Sequence, residues 1–84
     1  MLLAVEVKSQ LSPGDLPRFL EKLAQVRDYF PEWAEGRRVF GAVASFHVDA
    51  SLVRDAEGKG LFVFGLDRNL IEVLNSKGFE PRAF

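Results

Sequence analysis

A change of apolar rhythm within the first forty-six residues restricts this chain to very few folds. Residues 2–8, Leu-Leu-Ala-Val-Glu-Val-Lys, form a short apolar run that turns polar at its end, as a strand does. Alternation places Leu3, Val5 and Val7 on one face of that strand and Ala4, Glu6 and Lys8 on the other. Leu16, Phe19, Leu20, Leu23, Val26 and Phe30 then recur at spacings of three and four, which predicts an amphipathic helix of about four turns. Val39 to Phe46 is apolar again, with small residues at Gly41, Ala42, Ala44 and Ser45 and no alternation. That pattern suits a strand covered on both faces, whose small side chains let a helix come close. Strand, helix and strand in this order make a parallel pair joined by a right-handed crossover.

The punctuation supports these boundaries. Ser12-Pro13 reads as a helix start, with Ser12 as N-cap, Pro13 at the first helical position and Asp15 in the first turn. Pro31 ends the helix or sits just beyond it, and Glu35-Gly36-Arg37-Arg38 is a polar connection. Asp49 can cap a short helix through Ala50, Val53 and Ala56, closed by Gly58 or Gly60. Leu61–Gly65 and Leu70–Leu74 read as two further strands around a tight turn at Asp67-Arg68-Asn69, and Asn75–Gly78 turns into a tail ending at Phe84. The expected architecture is one α/β domain over residues 1–84, ordered β-α-β-α-β-β. Its mixed four-stranded sheet takes the order 1-2-3-4, with the last pair antiparallel and the helices packed on the sheet.

Composition narrows the function classes. There is no cysteine, so a disulfide framework and a thiolate metal site are excluded, and the single histidine, His47, cannot build a histidine cage. No apolar run reaches the roughly 18 residues of a membrane span, and the net charge of −1 argues against a large electrostatic footprint on nucleic acid. Charged residues at Glu6 and Lys8 follow the apolar start at once, unlike a secretory leader. The expectation is a cytoplasmic globular protein. Seven arginines against four lysines, with only four Asn and Gln together, lean toward a thermophilic source.

Glu6-Val7-Lys8 is the one motif with a clear chemical use. A carboxylate and an ammonium two residues apart share a strand face; the carboxylate can bind Mg²⁺ or Mn²⁺ while the lysine stabilises charge on a phosphate. The plainer reading is a solvated ion pair worth at most ~1 kcal/mol. Chemistry would need a second acid converging on Glu6.

The run Glu6-Val7-Lys8-Ser9-Gln10, ending an apolar strand just before a helix, resembles the second half of the PD-(D/E)XK nuclease signature. The resemblance extends to a group of uncharacterised bacterial and archaeal proteins with nuclease-like C-terminal domains. Its helix ending is matched by Phe30-Pro31-Glu32 and its next strand by Arg38-Val39-Phe40-Gly41-Ala42. Ala56 to Val63 match its Ala-x-x-x-Gly-Leu-Phe/Tyr-Val segment, and Gly78 to Phe84 its terminus. By this resemblance the fold is restriction-endonuclease-like, Glu6 is a metal ligand, Lys8 is the catalytic lysine and Gln10 is an accessory residue. The family carries its first acid, an Asp, on strands that precede the Glu-x-Lys strand. That Asp has no counterpart here, so the resemblance implies a truncated domain, inactive alone, that cleaves DNA with Mg²⁺ or Mn²⁺ only if a partner supplies the acid.

Other candidates have bland readings. His47 reads as a surface residue, Asp49 as a helix cap, and Arg37-Arg38 as a solvated turn. Tyr29, Phe30 and Trp33 could stack on bases but are expected to close the core at a helix end. Gly58-Lys59-Gly60 lacks the rest of a phosphate loop and reads as a helix stop. The first strand is the most apolar and is expected at a sheet edge, a position normally covered or paired. Hence the second hypothesis: a non-enzymatic module that forms a homodimer through the edge of residues 2–8, or adds its strand to another protein.

Overall fold

The computed structural model describes all 84 residues and has the expected order. Strand β1 (Leu2–Lys8) is followed by helices α1 (Asp15–Ala24), α2 (Val26–Tyr29) and α3 (Pro31–Ala34), then β2 (Val39–Ser45), α4 (Ala50–Gly58), β3 (Phe62–Leu66) and β4 (Ile71–Val73). The sheet runs β1-β2-β3-β4. Leu2 lies beside Val39 and Lys8 beside Ser45 in a parallel pairing; β3 also runs parallel to β2, and β4 runs antiparallel to β3. Every residue of β2 is buried, as its lack of alternation predicts.

The predicted four-turn helix is split in two, α1 and α2, at Gln25; it stops before Pro31 as expected, and α3 follows as a separate turn. Phe30 precedes a proline, which disfavours the helical region for it; it adopts φ −130°, ψ 58°, and Pro31 opens α3 as its first residue. The Arg27 guanidinium holds the chain past this stop by donating to the carbonyls of Ala34, Arg37 and Phe84. The turn at Phe30 also overturns the expectation that the aromatics close the core. Tyr29, Phe30 and Trp33 are exposed, and only Ala34 of α3 is buried.

Both longer helices pack on one face of the sheet. Leu16, Phe19 and Leu23 of α1, Leu52 and Ala56 of α4, and Val39, Val43, Leu61 and Val63 belong to one buried cluster. Gly41 belongs to that face: a Cβ there would meet Leu23 Cδ1 at 2.5 Å and Leu61 Cδ2 at 2.9 Å, so the small residue admits α1. Helix α4 ends in a Schellman motif. The Leu61 amide donates to the Ala56 carbonyl and the Gly60 amide to that of Glu57, each at 3.0 Å, with Gly60 at φ +78°. The expected glycine stop is therefore Gly60. At the start of that helix Asp49 does hold the N-cap position, but its side chain makes no cap bond.

The opposite face of the sheet carries no helix. Leu3, Val5 and Val7 of β1 point there, with Phe40, Ala42 and Ala44 of β2 beside them in register. Beyond these come Phe62, Phe64 and Leu66 of β3, then Ile71 and Val73 of β4. Phe62 and Phe64 stack with ring centres 6.2 Å apart, and Phe79 from the tail meets Phe62 edge-on at 5.5 Å. Phe40, Ala42 and Ala44 are buried yet stand outside the helix-side cluster. Antiparallel and mixed sheets with one covered face normally turn apolar residues to the helices and polar ones to water. This sheet departs from that order: both faces are apolar, and its only charged strand residues, Glu6, Lys8 and Glu72, lie on the parity that faces the helices.

Candidate functional site

Glu6 and Lys8 lie at the C-terminal end of β1, on the face toward α1. Neither pairs with the other. Both Glu6 carboxylate oxygens accept from Lys22 Nζ, at 3.2 and 3.3 Å, and the Glu6 side chain is 23% exposed. Lys8 Nζ stands 3.8 Å from Asp15 Oδ1. The expected solvated pair is thus two separate cross-element pairs, each tying β1 to α1 or its entry. The reason is the helix position: α1 presents Lys22 at β1, and the turn before α1 brings Asp15 up to Lys8.

Asp15 is the anchor of this corner. Helix α1 opens at Asp15 with Gly14 as its N-cap residue, so Ser12 and Pro13 lie ahead of the cap and first position expected for them; the Ser12 amide and hydroxyl both donate to Asp15 Oδ2, at 2.8 and 3.0 Å. Arg18 Nη2 donates to the other oxygen at 2.7 Å. These bonds, the Ser12 amide first and Arg18 next, lower the Asp15 pKa from 3.8 to about 2. Asp15→Asn is expected to cost about 1 kcal/mol at neutral pH, the usual loss for an ionised acceptor at a helix start. Because the folded pKa lies below the unfolded one, this contribution is complete above about pH 4 and vanishes as the pH falls to about 2. Urea unfolding of wild type and variant at several pH values checks it: the gap between them should close across that interval, and a gap independent of pH would assign the effect to packing.

Five charged side chains therefore meet here: Glu6 and Asp15 with Lys8, Arg18 and Lys22. The three cations are the more exposed members, at 42%, 68% and 64%, against 23% for Glu6 and 8% for Asp15. The sequence singles out Glu6 and Lys8 but not Arg18 and Lys22. Their spacing of four, one helical turn, was the available signal. Gln10 lies exposed in the loop after β1 and makes no side-chain hydrogen bond toward Glu6 or Lys8. Ser45, the register partner of Lys8, is fully buried and donates to the carbonyl of Ser9 at 3.1 Å, fixing the chain as it leaves β1.

The corner does not fit a divalent cation. Nowhere do three acidic or histidine side chains come together to hold one, and each of the two carboxylates present is already engaged by a cation. Mg²⁺ or Mn²⁺ held by Glu6 alone would lack the oxygen ligands such ions require. The largest cleft, about 680 Å³, lies elsewhere, past the C-terminal ends of β2 and β3 between Phe46, Leu66, Asp67 and Glu72.

The edge of β1 completes the site. In the parallel ladder the Leu2 amide donates inward to Arg38 at 2.8 Å. Alternation then directs the amides and carbonyls of Leu3, Val5 and Val7 outward, away from β2. Glu6 and Lys8 thus stand beside an unpaired strand edge. His47 is exposed, with its amide bonded to Ser45 Oγ, and takes no part. No helix is long and apolar enough to cross a membrane. Compared with protein-family models, with curated proteins and with solved structures, the chain matches none.

Proposed function

We propose that this chain is a restriction-endonuclease-like domain, inert toward phosphodiesters by itself, that receives a strand from another polypeptide along β1. The observation that carries the reading is the placement of Glu6 and Lys8 next to the outward-facing backbone of Leu3, Val5 and Val7. A strand added there would run about 4.8 Å from β1, so a carboxylate on it could stand beside Glu6. The resemblance of Glu6-Val7-Lys8 to the nuclease signature supports the same placement, since that family carries its first acid on strands other than the Glu-x-Lys strand. Lys8, Arg18 and Lys22 would meet a phosphate by charge. In the lone chain the groups do not hold a metal, and no hydrolytic step follows from them.

Two measurements test this. Plasmid DNA incubated with the purified chain and Mg²⁺ or Mn²⁺ should stay intact, with Lys8→Ala as the matched variant. Cleavage by wild type that disappears in Lys8→Ala would overturn the inert reading and show that copies of the chain complete the site among themselves. Amide hydrogen exchange should be fast at Leu3, Val5 and Val7 and slow at the inward-bonded Ala4 and Glu6. Slow exchange at all five would mean the edge is already occupied, and the strand-acceptor reading would fail.

A further inference from the structure

We propose that the strand received along β1 is an extended segment of another polypeptide carrying two marks four residues apart: an apolar side chain that seats in the groove beside Leu2 and Ala4, and an acidic side chain that meets Lys8 and Lys22. The inference rests on the strand-acceptor reading and adds what the incoming segment must carry. Strand addition gains affinity from main-chain bonds and specificity from pockets for alternate side chains. The groove has a volume of about 180 Å³ and is lined by Leu2, Leu3, Ala4, Val26, Phe30 and Trp33, all apolar. Leu2, Ala4 and Val26 also pack against the helix-side core, which puts the groove on that side of the sheet. Leu3 belongs to the opposite parity, so its part in the lining places the groove at the strand edge, where the two faces meet. Phe30 and Trp33 are 55% and 64% exposed, with ring centres 6.3 Å apart. They stay open because the chain turns at Phe30 and Pro31 instead of continuing the helix. Two open rings around an apolar groove bury most when an apolar side chain enters between them.

Charge at the other end of the same strand chooses the occupant. Lys8, Arg18 and Lys22 are the exposed members of the ion-paired corner, three cations against the more buried carboxylates of Glu6 and Asp15. A strand lying on β1 therefore meets an excess of positive charge at this end. Ala4 and Lys8 share a parity and stand four residues apart, about 13 Å along the strand. The residues opposite them on an added strand keep that spacing and point to the same face. One segment can thus reach the groove and the cations together while its backbone bonds Leu3, Val5 and Val7. A second copy of this chain matches poorly. Paired antiparallel about a two-fold axis, its Glu-x-Lys end lies over the apolar groove, and its apolar end over the cations.

Trp33, the single tryptophan, reports directly on the groove. The probe is a threonine heptapeptide with blocked ends, leucine second and glutamate sixth, made in both sequence directions so that parallel and antiparallel addition are each covered. Titrated into the unaltered chain, at least one direction is expected to move Trp33 emission saturably to shorter wavelength. The same peptide is expected to slow hydrogen exchange at Leu3, Val5 and Val7. Serine in place of its leucine, or lysine in place of its glutamate, should weaken binding at least about 10-fold, and salt should reduce the glutamate effect. An all-threonine peptide that binds as tightly would overturn the two marks and leave plain strand addition standing. A shift of Trp33 without protection of the three amides would also overturn the proposal, because the peptide would then occupy the groove without joining the sheet. Failure of every peptide overturns it as well. Exchange in the free chain then tells the two readings apart: slow exchange at Leu3, Val5 and Val7 removes the strand-acceptor reading too, whereas fast exchange removes only the two marks.

Discussion

Alanine at Gly60 is expected to lower the unfolding free energy by about 3 kcal/mol. Two separate causes add here. Gly60 holds φ +78° at the end of α4, a conformation that costs an L-residue roughly 1–2 kcal/mol. Its missing Cβ also occupies space already taken: an added carbon would overlap the Cβ of Arg82 and lie 2.9 Å from the Arg82 backbone nitrogen. That nitrogen donates to the Gly60 carbonyl at 3.0 Å, so the tail cannot step aside without giving up the bond. Two residues on, the Phe84 amide donates to the Val39 carbonyl at 2.7 Å and its side chain packs against the core, so displacement of the tail spreads to β2. Gly36 supplies the comparison. It has φ +68° but open space where a Cβ would go, and Gly36→Ala should cost only about 1 kcal/mol. Urea unfolding of the two variants separates backbone conformation from the tail contact. Equal losses would mean the tail contributes nothing at Gly60.

Leu16→Ala should cost about 3–4 kcal/mol, within the range found for a fully buried leucine that leaves a cavity. Leu16 has no exposed surface and lies in the only cluster that joins both long helices to the sheet. Leu20, one turn on and half-buried, packs at the margin of that cluster, and Leu20→Ala should cost about 1 kcal/mol. For a domain of 84 residues a loss of this size is a large part of the whole stability. It matters because the helix-side cluster is the largest core of the chain, the other sheet face carrying no helix. Urea unfolding of the two variants reads the difference, and equal losses would mean that Leu16 contributes no more than the margin of the cluster.

The two glycine positions show how the fold and the site divide. A glycine stop after α4 was readable in the local pattern, but the pattern could not choose between Gly58 and Gly60. The choice rests on the Schellman bonds and on Arg82, a residue twenty-two positions away. The same division runs through the candidate site. Glu6 and Lys8 were visible as a pair because they are two residues apart on a strand. Their actual partners, Lys22 and Asp15, became partners only when α1 folded back across β1.

Local order along the chain thus determined the element sequence, the strand order 1-2-3-4 and the parity of β1, because rhythm and turn chemistry act over a few residues and crossovers have one hand. It also determined that these residues hold no disulfide, no thiolate metal site and no histidine cage. Tertiary structure alone decided which parity the helices cover. Alternation states that Leu3, Val5 and Val7 share a face, but not that both long helices pack on the other one; that follows from where α1 and α4 come to rest. The stop at Pro31 was legible in the sequence, whereas the bonds of Arg27 that hold the chain past it need the carbonyls of Ala34 and Arg37 brought together with that of the distant Phe84. A pattern of residues specifies faces, and only packing specifies which face meets water.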